Sequence, residues 1–125
     1  MNWGTVILVT VVVLFFVVPK LRQVPKKEAV EMLRQGAAFI DVRTRGEFAQ
    51  HSIPGSLNLP LQELAKAIRQ EKIDPTDPIL VFCHSGMRSS AAMRQLRSLG
   101  YTRVRNIGSF ARAHSIWNLS NSQSE

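Results

Sequence analysis

The sequence contains a single cysteine, Cys83, among 125 residues. One cysteine excludes an internal disulfide framework and any zinc site built from several thiolates. The three histidines do not stand at metal-ligand spacing from Cys83 or from one another, so we expect no metal and no cofactor. An unpaired thiol is typical of a protein in a reducing compartment.

Acidic residues are also scarce, since nine Asp and Glu stand against sixteen Lys and Arg, for a formal net charge of +7. Five arginines make the C-terminal third basic. No nucleic-acid-binding motif accompanies them, so we expect no nucleic-acid partner. A solvated face, or a face near anionic lipid, is the better interpretation. These arginines are Arg94, Arg97, Arg103, Arg105 and Arg112.

Charge is absent altogether from residues 3–18, which read WGTVILVTVVVLFFVV. These sixteen residues would span about 24 Å as a helix, against a hydrocarbon core of about 30 Å. Flanking residues and the long side chains of Lys20 and Arg22 can cover the difference. A lone segment in lipid satisfies its backbone only as a helix. The run therefore predicts one transmembrane helix, an anchor over residues 1–20.

A cleaved signal peptide and a buried core helix are the two alternatives to an anchor. A signal peptide has a basic start and small residues at its cleavage site, whereas here no alanine appears before Ala29. A core helix normally shows polar positions. Basic residues follow the run and none precedes it, which places the rest of a single-pass protein on the cytoplasmic side of the cell membrane. They are Lys20, Arg22, Lys26 and Lys27.

The remaining residues, about 100, are enough for one compact domain. Residues 21–25 form a short linker, in which Pro25, together with Pro19 just before it, is expected to interrupt the membrane helix. Residues 26–118 form the domain, and residues 119–125 form a polar tail.

Helices and strands alternate along this domain. The pattern predicts helices over residues 26–35, 45–50, 61–70, 89–99 and 109–117, and strands over residues 38–42, 56–59, 79–82 and 103–107. Residues 79–82 (ILVF) are continuously apolar, which is typical of a central strand covered on both faces. The alternation indicates an α/β domain with a mostly parallel sheet.

Cys83 stands directly after that central strand and before a predicted helix, with Gly86 and Arg88 in the intervening loop. Sites in parallel sheets form beyond the carboxyl ends of strands. Backbone N–H groups of the loop and the helix N-terminus would surround the sulfur with positive charge. A small buried cysteine without a task is the alternative. The combination of strand end, glycine, arginine and helix N-terminus favours a reactive thiolate.

The loop Cys83-His84-Ser85-Gly86-Met87-Arg88-Ser89 resembles the active loop of the rhodanese family, whose pattern is Cys-x-x-Gly-x-Arg-Ser/Thr. Two further stretches, in the right order, resemble the family's upstream signature and its closing strand. The resemblance covers residues 24–118. These stretches are Asp41-Val42-Arg43 … Glu47-Phe48 … Ile53-Pro54-Gly55-Ser56 … Asn58-Leu59-Pro60, and Gly100-Tyr101 … Val104 … Asn106-Ile107-Gly108.

The resemblance implies a five-stranded parallel sheet with helices on both faces, and sulfurtransferase chemistry. Cys83 would be the catalytic residue, taking sulfane sulfur from a small anionic donor such as thiosulfate and carrying it as a persulfide. The acceptor would be cyanide or a thiol, on a small molecule or a protein. Residues of the loop would bind the substrate, with Arg88 favouring the anion. They are His84, Ser85, Gly86, Met87, Arg88 and Ser89.

Two residues of the upstream signature are further candidates. We expect Asp41, at the end of a strand, to fix its loop through local hydrogen bonds. Arg43 is a candidate for contact with the anionic substrate, and an exposed or ion-paired arginine is the alternative. His51 is shifted by one place from the family's histidine. His51 and His114 are too distant in sequence to be placed together.

Two other functions fit the same loop. One is a non-catalytic rhodanese-like module that tethers a partner at the membrane. The other is a rhodanese-fold phosphatase or arsenate reductase, since the same fold and loop can hold an oxyanion. Cysteine phosphatases use a Cys-x5-Arg loop, whereas four residues separate Cys83 from Arg88 here. The smaller ring of amides favours one sulfur atom over three phosphate oxygens.

Overall fold

The computed structural model describes residues 2–21 and 23–122. Within that part of the chain, helices alternate with strands after an N-terminal helix. The α-helices are α1 (Trp3–Leu21), α2 (Lys26–Arg34), α3 (Arg45–Gln50), α4 (Leu64–Gln70), α5 (Met87–Ser98) and α6 (Phe110–Ser122). The strands are β1 (Ala38–Asp41), β2 (Leu57–Asn58), β3 (Ile79–Phe82) and β4 (Val104–Gly108), and a 3₁₀ helix covers Leu61–Glu63.

The strands form a parallel sheet in the order β2-β1-β3-β4. Ile40 of β1 pairs with Val81 of β3, and Val81 pairs in turn with Asn106 of β4. β3 therefore lies inside the sheet, as its unbroken apolar sequence predicted, and its carboxyl end meets that of β4. The predicted parallel α/β arrangement is confirmed.

Alternate residues of β3 face opposite layers of the core, because side chains alternate across a strand. Ile79 and Val81 belong to one cluster, which contains the buried residues of α4 and α5. Leu80 and Phe82 belong to the other, which contains those of α2 and α6. Each fully buried side chain of this size contributes about 1.5–3 kcal/mol. Helices thus cover both faces of the sheet, as expected.

The sheet has four strands over the described residues, not the five that the family resemblance implied. The residue pattern by itself indicated four. Beside the free edge of β4, the N–H of Val24 donates to the carbonyl of Asn106 at 2.9 Å. Directly after Pro25 the chain turns into α2, which begins at Lys26.

α1 differs from its prediction in two respects. It continues past Pro19 to Leu21, since a proline this close to the end removes only one helical hydrogen bond. The transmembrane helix predicted for residues 1–20 is not found, because no helix within the described residues is long and apolar enough to cross a membrane. The apolar side chains of α1 are exposed, Trp3 by 80% and Phe15 by 70%.

Three other boundaries differ by a few residues. α5 begins at Met87, so its first turn includes the end of the cysteine loop. The helix predicted over residues 61–70 begins as a 3₁₀ turn before α4. α6 extends to Ser122 and takes in the first four residues of the predicted tail, while residues 123–125 lie outside the described part.

Deleting residues 1–20 should leave a folded domain, because the first core residue among those described is Val24. We expect a cooperative thermal transition, followed by circular dichroism, within a few degrees of that of the full chain. Deleting residues 1–25 should lower the transition temperature, because it also removes the buried Val24 side chain, worth about 1.5–3 kcal/mol. A 21–125 fragment without a cooperative transition would show that α1 belongs to the core.

Candidate active site

Cys83 follows the last residue of β3 and is fully buried on the face covered by α5. Its N–H donates to the carbonyl of Gly108 at 3.0 Å, which continues the pairing of β3 with β4 by one residue. The position at the carboxyl end of an internal strand is the one at which sites form in parallel sheets.

Two backbone N–H groups point at the Cys83 sulfur. The N–H of Gly86 donates to Sγ at 3.0 Å, and that of Ser89 donates at 3.4 Å. The Ser89 hydroxyl lies 3.5 Å from the same sulfur. Ser89 stands in the first turn of α5, so the N-terminal end of this helix also faces the sulfur. Such a set of donors stabilises negative charge on sulfur.

Gly86 gives the loop its shape. Its φ of 103° lies in the left-handed region, which glycine adopts readily and other residues rarely. This conformation turns the chain after Gly86 into α5. A Cβ on Gly86 would also stand 3.3 Å from the Cα of Gly108, so the two glycines allow the loop to pack closely on the end of β4.

The buried hydroxyl of Ser89 ties the loop to the sheet. It lies 3.1 Å from the Gly86 carbonyl and 3.3 Å from the Gly108 carbonyl, and can donate to either. The same carbonyl of Gly108 accepts the Cys83 N–H. Ser89 was expected to bind substrate, and the structure gives it contacts within the loop.

Arg88 forms a two-point ion pair with Glu47 of α3. Its Nη1 and Nη2 donate to the two carboxylate oxygens at 2.6 and 2.9 Å. This pairing lowers the pKa of Glu47 from 4.5 to about 2, and hydrogen bonds from Thr44 act in the same direction. The Arg88 pKa is raised, first by Glu47 and to a lesser extent by charge on Cys83. Both side chains are about one third exposed, so the cation stands at the rim of the cysteine loop.

Arg43 turns into the protein and pairs with Asp41. Its Nε and Nη2 donate to the Asp41 carboxylate at 2.8–3.1 Å, and Nη2 also donates to the carbonyl of His51 at 2.6 Å. The guanidinium lies 4.4 Å from the centre of the Phe110 ring, at cation–π distance. Arg43 is 5% exposed. The ion-paired arginine, the alternative to a substrate contact, is what the structure shows, as a buried charge requires a partner.

Asp41 holds the loop between β1 and α3. Its Oδ1 accepts the N–H of Arg43 at 2.9 Å, a local turn of the kind expected for this residue. The side-chain amide of Asn58 then donates to the carbonyls of Asp41 and Arg43 at 3.1 and 2.9 Å. β2 thereby fixes the same loop, a contribution that no feature of the sequence indicated.

The outer residues of the cysteine loop are exposed, with Met87 at 77%. Their backbone is joined to the residues after β4. The N–H of Phe110 donates to the carbonyl of His84 at 3.2 Å, and Ser85 forms a β-bridge with Ser109. The side chains of His84, Ser85 and Met87 are thus available to a substrate, as predicted, on a backbone that is fixed.

Phe110 brings together residues that the sequence kept apart. The His51 ring lies tilted against its ring at 5.1 Å between centroids, and the His114 ring stacks on it at 6.2 Å. Trp117 lies a further 6.3 Å along, nearly parallel to the His114 ring. The sequence could not place the two histidines together, and in the structure each lies against the ring of Phe110. Across residues 2–21 and 23–122, no three side chains of His, Cys, Asp or Glu are grouped so that they could hold a metal ion.

A cavity of about 260 Å³ adjoins the cysteine loop on the side of the β4 edge. Cys83 does not line it. The sequence gave no signal for Gln23 as a residue of this region, because it stands sixty positions before Cys83 in the predicted linker. The lining residues are Gln23, Ser85, Gly86, Met87, Ser90, Arg94 and Asn106.

The sequence was compared with protein-family models and with curated proteins. Residues 25–112 match the rhodanese-like domain. The chain is 36% identical over 70 residues to thiosulfate sulfurtransferase PspE of Escherichia coli, covering 56% of this chain and 67% of the relative. It is also 36% identical over 104 residues to thiosulfate:glutathione sulfurtransferase of Homo sapiens, covering 72% of this chain and 87% of the relative.

Solved structures show the same similarity. The human single-domain sulfurtransferase TSTD1 superposes with a TM-score of 0.62 at 33% identity, over 73% of this chain and 93% of that one. A rhodanese with anions from E. coli superposes with a TM-score of 0.58 at 32% identity, over 62% and 91% of the two chains. The family match covers most of the chain and agrees with the sheet, the cysteine loop and the helix that follows. This protein belongs to the rhodanese-like domain family.

Proposed function

We propose that the protein moves sulfane sulfur from a small anionic donor, thiosulfate, through a persulfide on Cys83 to a thiol or cyanide. The enzyme class follows from the family and its named relatives: the chain is a rhodanese-type sulfurtransferase. The observation that carries the proposal is the Gly86 N–H, which lies 3.0 Å from the sulfur of the single cysteine.

The reaction has two displacement steps. The Cys83 thiolate attacks the outer sulfur of thiosulfate, a new S–S bond forms, and the bond to the sulfonate sulfur breaks so that sulfite leaves with its electron pair. The acceptor then attacks the outer sulfur of the persulfide. The Cys83 thiolate leaves with the electrons of the broken S–S bond, and the product is thiocyanate or an acceptor persulfide. No redox cofactor is needed, because sulfite and the regenerated thiolate balance the electrons.

On the basis of these contacts, we assign parts of the proposed reaction to particular groups. The N–H groups of Gly86 and Ser89 stabilise the negative charge that returns to Cys83 in the second step. Arg88 is the cation that favours an anionic donor, and Glu47 holds its guanidinium at the rim. His84 and Met87, which are exposed, meet the donor at the outer face of the loop.

The choice of donor and acceptor rests on the relatives. One is named for thiosulfate, and the human relative for thiosulfate and glutathione. Thiosulfate and glutathione are both small molecules, and an anionic donor suits the Arg88 cation at the rim of the loop. We extend the class of anionic sulfur donor and thiol acceptor to this chain on that basis.

Two other functions have a specific observation in their favour. The thiol of Cys83 is fully buried, as it would be in a non-catalytic module that only binds a partner. The loop also resembles that of phosphatases and arsenate reductases of the same fold. Four residues between Cys83 and Arg88 make a smaller ring of amides than the Cys-x5-Arg loop of phosphatases. Sulfur transfer fits this smaller ring better.

We also propose that the domain is held at the cytoplasmic face of the cell membrane through residues 1–20. The support is the apolar surface of α1, whose side chains over residues 3–17 are exposed, and the basic residues after it, which can meet anionic lipid. Lys26 and Lys27, at the start of α2, are exposed and able to meet anionic headgroups.

Replacing Cys83 by serine should abolish sulfur transfer. Thiosulfate should add the mass of one sulfur atom to the wild-type protein, measured on the intact chain, and a reductant should remove it. Cys83→Ser should show no added sulfur and no thiosulfate:cyanide turnover above background, because the single thiol carries the sulfur.

The same experiment separates the alternatives. A non-catalytic module would give no added mass in the wild type. A phosphatase would hydrolyse an aryl phosphate efficiently and form no persulfide. Turnover that survives in Cys83→Ser would show that another group carries the sulfur.

The Arg88–Glu47 pair should contribute pH-dependent stability. Because the folded-state pKa of Glu47 lies below its ordinary value of 4.5, the contribution is complete above pH 4.5 and disappears as the pH falls through about 2. Glu47→Gln should be less stable than the wild type at neutral pH by about 1 kcal/mol or less, since solvent screens a pair that is one third exposed. Thermal unfolding of the two proteins should converge between pH 4.5 and 2.

Arg88→Ala should change mainly the catalytic efficiency, whereas Arg43→Ala should change mainly the stability. Arg88→Ala should lower kcat/KM for thiosulfate about ten-fold or more with a small change in melting temperature, because its charge acts on the anion. Arg43→Ala should cost about 3–5 kcal/mol, because it leaves Asp41 buried and unpaired. If Arg43→Ala were stable and bound thiosulfate weakly, the result would indicate that Arg43 contacts the substrate.

Membrane attachment should depend on residues 1–20. The full chain should sediment with membranes, and a protease added outside intact cells should leave the domain uncut. The 21–125 fragment should remain in the supernatant. A full chain that stays in the supernatant, or a domain that the external protease cuts, would contradict this location.

A further inference from the structure

The side chain of Gln23 lies directly against the two glycines that shape the cysteine loop. A Cβ on Gly108 would stand 2.3 Å from Gln23 Nε2 and 2.8 Å from its Cδ. A Cβ on Gly86 would stand 3.6 Å from the same Nε2. Gln23, Gly86 and Gly108 are therefore in mutual contact, at the edge of the cavity beside the loop.

The backbone next to Gln23 is fixed from two sides. The N–H of Val24 donates to the carbonyl of Asn106 in β4. The guanidinium of Arg112 in α6 donates to the carbonyls of Val24 and Ile107. The position of the Gln23 side chain is thus set by the sheet edge and by α6.

Both glycines beneath Gln23 hold the reactive sulfur. Gly86 supplies the N–H at 3.0 Å from Sγ, and the Gly108 carbonyl accepts the N–H of Cys83. Neither glycine has a side chain that could fill the space above it. Their φ angles of 103° and 102° lie in the region that favours glycine. Gln23 fills that space instead.

We propose that Gln23 is a positioning residue, whose side chain packs on Gly86 and Gly108 and keeps the cysteine loop in the conformation that directs the Gly86 N–H at the sulfur. The linker before the domain thereby determines the geometry of sulfur transfer. This inference rests on the proposed sulfurtransferase function for its kinetic effect. Its effect on the loop itself is independent of that function.

Gln23→Ala in the full chain should loosen the loop. We expect kcat for thiosulfate:cyanide transfer to fall about ten-fold, since displacement of a catalytic donor by about 1 Å costs this much or more, while KM changes less than about two-fold. Alkylation of Cys83 by iodoacetamide at neutral pH should become several-fold faster, because the buried sulfur is uncovered. Gln62→Ala, an exposed glutamine on the 3₁₀ helix, is the matched control and should equal the wild type.

Gln23→Met tests whether packing is the cause. Methionine has a similar length and no amide, so it should restore kcat and slow alkylation to within about two-fold of the wild type. Equal kcat and equal alkylation in Gln23→Ala and Gln62→Ala would overturn the proposal. A Gln23→Met variant as impaired as Gln23→Ala would also overturn it.

Gly108→Ala provides a second test through the same contact. The new Cβ would clash with Gln23 and should displace the loop, and adding Gln23→Ala should recover part of the lost kcat. Gly100→Ala controls for backbone strain, since Gly100 has a φ of 101° with nothing within 4 Å of the Cβ position. Its effect should be the same with or without Gln23→Ala. Independent, multiplicative effects of Gly108→Ala and Gln23→Ala would contradict the proposed contact.

Alkylation separates this proposal from the proposed function. If the wild-type protein moved no sulfur, the alkylation rates would still report whether Gln23 holds the loop. If the wild-type protein transferred sulfur but Gln23→Ala changed neither the alkylation rate nor kcat, the result would support the enzyme function and contradict the positioning role of Gln23.

Discussion

The carbonyl oxygen of Gly108 is the point on which the cysteine loop depends. It accepts the N–H of Cys83 at 3.0 Å and lies 3.3 Å from the hydroxyl of Ser89, so it joins both ends of the loop to the end of β4. The close approach of Gly86 to the same residue lets the loop fold over the sulfur. A buried carbonyl must be satisfied, and here its partners are the residues that present the thiol.

Charge around the site is divided between two ion pairs of different character. Asp41 and Arg43 are buried, and their pairing fixes the loop after β1 where a lone charge would be costly. Glu47 and Arg88 are partly exposed and contribute less to stability, but they place a cation at the rim of the cysteine loop. The arginine that the sequence offered as a substrate contact, Arg43, thus became structural, because it lies within reach of a buried carboxylate.

Local sequence signals were sufficient for the elements and for the nucleophile. The apolar run of β3 predicted an internal strand with its exact bounds, and the alternation of helices and strands predicted the parallel sheet. Cys83 could be singled out because strand end, glycine and helix start are all short-range features. The family resemblance implied one strand more than the described residues form, and beside β4 the chain turns into α2 at Lys26.

The sequence by itself determined the order of elements, the cysteine loop and the excess of basic residues, because each depends on neighbours within a few positions. Tertiary structure alone decided which charges pair and which side chains stack. Arg88 and Glu47 are 41 positions apart, and His51 and His114 meet only through Phe110. Gln23 lies against Gly108 where the sheet edge and Arg112 hold the backbone of its neighbour Val24. Such contacts arise from packing between distant segments, for which no local pattern in the chain exists.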